Sequence, residues 1–104
     1  MAKREIIELL KKFLAALKAE GVNIEKAFLY GSHAKGLATA KSDIDVMLVS
    51  DYFDKGLKAR AKSWLVASKI DNRIEPCSIS MKKFLEDDSS PLIETVKQEG
   101  VEII

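Results

Sequence analysis

The sequence predicts an α/β (α+β) domain, with helices packed on a small mixed β-sheet. Apolar residues recur at helical spacing through one long N-terminal segment. Short runs of strand length follow, rich in β-branched side chains and divided by glycine and polar turns. The resulting order, α-β-(turn)-β-α-β-α-β, layers helices on a sheet. At 104 residues the chain fits a single domain over residues 1–104.

Each element has its own signal. Ile6, Ile7, Leu9, Leu10, Phe13, Leu14 and Leu17 recur at three- and four-residue steps with charges between them. That pattern predicts a helix with one buried stripe, ending near Gly21. Ala27-Phe28-Leu29-Tyr30 reads as a short buried strand, stopped by Gly31-Ser32. Residues 33–36 leave room for a brief helical turn, and the small polar stretch to Ser42 reads as loop. Ile44 to Val49 is apolar on both parities, as in a central strand covered on both faces. Leu57, Ala61, Trp64, Leu65 and Ser68 trace one face of a helix; Lys58, Arg60, Lys62 and Lys69 fall mostly elsewhere, as a solvated surface. Arg73 to Ile79 returns to strand character, and Pro76 argues for a sheet edge or an irregular spot there. Ser80 to Leu85 reads as a loop or short helix. Asp87-Asp88-Ser89-Ser90-Pro91 is a turn that places Pro91 at the start of a final helix through Gln98. Gly100 is placed to cap it, leaving Val101 to Ile104 for a last strand.

Composition excludes several function classes. Hydrophobic residues make up 47% of the chain, enough for a modest core. Lys and Arg number 17 against 16 Asp and Glu, a net charge of +1, so direct binding of nucleic acid by bulk charge is not expected. The single cysteine, Cys77, rules out an internal disulfide and reads as a small buried hydrophobe in a reducing, cytoplasmic setting. Met1-Ala2-Lys3-Arg4-Glu5 runs into an amphipathic pattern, unlike a signal peptide, and the apolar runs are too short to span a bilayer. The expectation is a cytoplasmic protein with no membrane partner.

The chemistry concentrates in Gly31-Ser32-His33-Ala34-Lys35-Gly36 followed by Ser42-Asp43-Ile44-Asp45. A strand ending at Gly31 lets backbone approach a ligand without a Cβ in the way. The N–H groups after it, the Ser32 hydroxyl and the Lys35 charge suit phosphate oxygens. The pattern lacks the longer GxxxxGKS of a P-loop. His33, between them, reads as a solvated turn histidine, with a phosphate neighbour as the other reading and no catalytic role. Asp43 and Asp45 fall on the same face of a strand, about 7 Å apart along the chain at a rise of ~3.3 Å per residue. Two carboxylates brought to ~4 Å repel by roughly 4 kcal/mol at an effective dielectric near 20. A divalent cation offsets that, and hard oxygen ligands select Mg²⁺ or Mn²⁺. A third acid completes such a cage. Glu75, embedded in Arg73-Ile74-Glu75-Pro76-Cys77, is the first candidate; Asp71, beside Asn72, is the fallback, and Asp51 and Asp54 read as loop acids.

At these residues the sequence resembles the nucleotidyltransferase superfamily related to DNA polymerase beta, and within it the minimal stand-alone members often encoded beside a HEPN-domain partner. The family pattern is a Gly-Ser turn, a variable residue, a small residue, a basic residue and Gly, then a spacer and Ser-Asp-Ile-Asp. Lys35 stands where Arg is commoner, which keeps the charge and loses a bidentate fork. The resemblance implies the palm-like fold of polymerase beta and transfer of a nucleoside monophosphate with two Mg²⁺ or Mn²⁺ ions, with ATP as donor. Asp43, Asp45 and Glu75 would be catalytic and metal-binding; Gly31, Ser32, Lys35 and Ser42 would bind nucleotide and phosphate. It further implies a protein hydroxyl as acceptor, supplied by a HEPN-type partner in a toxin–antitoxin pair. A chain this short calls for such a partner, or a homodimer, to complete the cleft. The alternative is a catalytically silent binding module of the same fold that neutralises a partner by sequestration. No residue specifies the nucleotide base, and core and interface residues look alike in the apolar helices.

Overall fold

The computed structural model describes residues 3–86 and 90–104. Met1 and Ala2 lie outside the described residues, as do Asp87, Asp88 and Ser89 of the turn expected before Pro91. The elements are α1 (Lys3–Ala19), β1 (Lys26–Tyr30), α2 (Ser32–Lys35), β2 (Ile44–Val49), a 3-10 turn (Asp51–Lys55), α3 (Leu57–Ile70), β3 (Ile74–Ile79), α4 (Met81–Glu86), α5 (Pro91–Glu99) and β4 (Val101–Glu102). The strands form a four-stranded mixed sheet in the order β3-β2-β1-β4. β1 runs antiparallel to β2 and β4, and β2 runs parallel to β3.

Strand alternation divides the sheet into two apolar faces. Ala27, Leu29, Ile44, Val46, Leu48 and Ile74 pack under α1 and α3, against Ile6, Leu10, Phe13, Leu17, Val66 and Ala67. Phe28, Met47, Val49 and Ile79 meet Phe84 of α4 and Ile93 and Val96 of α5. Phe28 and Phe84 stack with ring centroids 5.4 Å apart. β2 is the strand covered on both sides, as its two-parity pattern requires. β3 is an edge strand, which is where Pro76 is tolerated because the outer side needs no ladder donor. Ser80–Leu85 resolves as helix: the Ser80 hydroxyl accepts from Lys83 N–H at 3.1 Å and opens α4. Ser90 does the same for α5 by accepting from Ile93 N–H, with Pro91 in the first turn. Gly100 caps α5 at φ −67°, so it is needed for space: a Cβ there would meet the Val96 carbonyl oxygen at 2.5 Å.

One packing face differs from the sequence reading. Of α3, the buried residues are Ala59, Ser63, Val66 and Ala67. The Leu57-Ala61-Trp64-Leu65-Ser68 face looks into solvent. Small side chains let the helix lie close over β3, where Ser63 Oγ and Ser78 Oγ hydrogen-bond at 3.0 Å. The large ones are left outside.

Candidate active site

The site is built by strand register. Across the sheet, Tyr30 pairs with Asp45, and Asp45 pairs with Glu75. The three side chains therefore share one row and one face, at the end of the sheet where β1 finishes and β2 and β3 begin. Asp43 precedes β2 by one residue and is exposed. Its carboxyl lies within hydrogen-bond reach of Glu75. The sequence-predicted acids Asp43, Asp45 and Glu75 are thus brought together.

Their electrostatics show the repulsion that the spacing predicts. Partial burial pushes the Asp45 carboxyl above its ordinary pKa; the neighbouring Asp43 charge adds to this and His33 opposes it. Glu75 is likewise raised, by desolvation first, then by Asp43 and Asp45 and by the hydrogen bond to Asp43. Tyr30 is held well above its usual range by burial and by Cys77, Asp45 and Glu75. Among the described residues no three carboxylate, thiol or imidazole groups are grouped as a ready-made metal cage. The donors are nonetheless three mutually coupled carboxylates, hard oxygen ligands, and that chemistry fits Mg²⁺ or Mn²⁺.

Gly31 sits against these acids. Its φ of 76° and ψ of −153° lie in a region essentially reserved for glycine. A Cβ at this position would stand 2.3 Å from Asp45 Oδ2. The backbone at the end of β1 is therefore in contact with the Asp45 carboxylate, and the peptide groups of α2 begin there. Ser32 opens α2 and is half-buried. Lys35 is exposed and makes a loose ion pair with Glu99 at 3.9 Å. Ser42 serves its own loop: its Oγ accepts from Thr39 N–H at 2.9 Å.

Two sequence expectations change. His33 is not a solvated turn residue; it is buried at 6% exposure, and its Nε2 has no hydrogen-bond partner among the described residues. α2 is only a single turn, and its inward side rests on the β1–β2 end of the sheet, so the second residue of the turn points in. Cys77 is part-buried, and burial pushes its thiol above the ordinary pKa. The fallback acid Asp71 is committed elsewhere: its carboxylate takes Arg73 Nη2 at 2.8 Å and Nε at 3.0 Å, while Arg73 Nη1 donates to the Ala40 carbonyl at 3.2 Å. Asp51 and Asp54 lie in the 3-10 turn and are exposed. Sequence reasoning missed Tyr30, whose only signal is its position opposite Asp45, legible once the β1–β2 register is known.

The family described as "Polymerase beta, Nucleotidyltransferase" matches residues 5–104. The chain belongs to this nucleotidyltransferase family. A solved structure, described as that of "a putative nucleotidyltransferase from Sulfolobus solfataricus", superposes on it with a TM-score of 0.65 at 17% identity, covering 97% of this chain and 81% of that one. At that identity the likeness is one of fold. No curated protein matches the chain at a significant level. No helix among the described residues of this nucleotidyltransferase domain is long and apolar enough to cross a membrane.

Proposed function

We propose that this nucleotidyltransferase domain moves AMP from ATP to a hydroxyl acceptor with the help of two Mg²⁺ or Mn²⁺ ions. The observation that carries the reading is the register that sets Asp45 beside Glu75, with Asp43 within reach and Gly31 in contact. Asp43 and Asp45 would hold the ions, and Glu75 would share one of them. Bound there, the ions supply charge neutralisation for the triphosphate and lower the pKa of the acceptor hydroxyl. The acceptor oxygen bonds to the α-phosphorus, the bond from that phosphorus to the α,β-bridging oxygen breaks, and pyrophosphate leaves. Glu75 would favour the acceptor hydroxyl as alkoxide by taking up its proton. Gly31 and the N–H groups that follow would seat the outer phosphates, with Ser32 as a further donor and Lys35 free to exchange its loose partner Glu99 for phosphate. Catalysis in such a site is positioning and charge stabilisation.

The acceptor we favour is a hydroxyl of a HEPN-type partner protein, which would make the domain the antitoxin of a pair; the setting would be the cytoplasm, where a free Cys77 stays reduced. The first test is calorimetric titration of ATP with and without Mg²⁺, on the natural protein and on Asp45→Asn. Metal-dependent binding that the variant loses is the expected result. Absent or metal-independent binding by the folded protein would move the reading to a silent module that acts by sequestration.

A further inference from the structure

We propose that the outer face of α3 docks a partner protein whose apolar contact surface is rimmed by carboxylates. The inference is independent of the reaction assigned above and begins from the face that packing leaves outside. Leu57 is 81% exposed, Trp64 50% and Leu65 59%. With Ala61 and Ser68 they recur at helical spacing and form one continuous stripe, while the opposite side of the helix is consumed by the sheet. Leu and Trp side chains grouped in this way on a domain surface are characteristic of a binding face, and Trp is among the residues that dominate binding energy there.

Charge decides the occupant. Helical geometry places Lys58 and Lys69 along one border of the stripe and Arg60 along the other, and α3 contains no acidic residue. Lys62, further round, is turned to Glu20, with a 3.8 Å ion pair and a 3.0 Å hydrogen bond to its carbonyl. A second copy meeting this face with its own would set cation against cation across a two-fold interface, which disfavours self-association. An anionic membrane is a poorer match. Electrostatic lipid recognition takes clusters of roughly four to eight basic residues, whereas α3 offers three that are not already paired with Glu20, on a chain of net charge +1. A protein surface with an apolar centre and Asp or Glu at its rim complements both parts of the stripe.

The test uses two synthetic amphipathic helical peptides with the same Leu/Phe face, one bordered by Glu and the other by Lys, titrated into the ¹⁵N-labelled protein. Trp64, the single tryptophan of the chain, gives an independent fluorescence readout. The Glu-bordered peptide is expected to bind at least about tenfold more tightly than the Lys-bordered one, weakening with salt, and to shift the amides of residues 57–69. The double variant Leu57→Ser/Leu65→Ser should lose this binding while keeping the parent melting curve and ATP binding. Arg60→Glu/Lys69→Glu should invert the peptide preference. Equal binding of both peptides, shifts away from α3, self-association abolished by Leu57→Ser/Leu65→Ser, or binding to phosphatidylserine vesicles in place of the Glu-bordered peptide would each overturn the proposal.

Discussion

Replacing Gly31 by Ala separates backbone strain from a collision with the Asp45 carboxylate. At φ 76° and ψ −153° a residue with a Cβ costs roughly 1–3 kcal/mol, because that region is essentially closed to it. The new methyl would also lie 2.3 Å from Asp45 Oδ2, so the carboxyl must move. Gly36→Ala is the control: its φ of 73° and ψ of 18° carry the ordinary left-handed cost of roughly 1–2 kcal/mol, and its Cβ meets nothing within 4 Å. In a domain of this size each 1 kcal/mol lowers Tm by roughly 4–8 °C. Gly36→Ala should therefore melt roughly 4–16 °C lower and keep metal-dependent ATP binding. Gly31→Ala should melt lower still and lose that binding even when folded. Thermal unfolding by circular dichroism, paired with calorimetry at a temperature where both variants are native, reads both effects. If Gly31→Ala proves no worse than Gly36→Ala and binds Mg-ATP normally, the contact between the turn and Asp45 has no functional weight and the site argument fails.

Removing charge at the acids should stabilise the metal-free protein. A carboxylate whose folded pKa is raised adds no cost below its ordinary range and destabilises increasingly as pH rises through the raised value, so Asp45→Asn and Glu75→Gln should each increase Tm near pH ~7.5 and change it little near pH ~3. Saturating Mg²⁺ should raise the Tm of the natural protein and not of either variant. Asp71 behaves in the opposite sense: hydrogen bonding from Arg73 lowers its pKa, so its contribution is present above the ordinary value of 3.8 and is lost as pH falls through the depressed one. Asp71→Asn should thus cost about 1–2 kcal/mol at neutral pH, with the difference from the natural protein vanishing in acid, as denaturant titrations across pH would report.

Much of this was legible in the sequence because it is local. The two-parity run Ile44–Val49 names a central strand, and Gly31-Ser32 followed by Asp43 and Asp45 marks a glycine turn beside paired acids. Glu75 stands out as an acid within an apolar strand, although only the parallel register shows that it faces Asp45. What sequence does not carry is close packing. On α3 the largest apolar residues suggest the inner face, yet the sheet accepts the small ones, Ala59, Ser63 and Ala67, because they let the helix approach. His33 shows the same limit: a polar residue in a turn reads as solvated until the turn is seen to rest on the sheet. Asp71 is distinguished from Glu75 by one neighbour, Arg73, whose guanidinium captures it.

The parallel pairing of β2 with β3 gives the site a place in the folding sequence. Asp43 and Asp45 meet Glu75 only after α3 has carried the chain across the sheet, a closure more distant along the chain than the β1–β2 ladder, whose strands are joined by residues 31–43. A chain arrested before that closure would hold a finished Gly31 turn and two of its three acids, Asp43 and Asp45. Cation uptake should therefore await the β2–β3 pairing, so that a stopped-flow Mn²⁺ signal would time that closure.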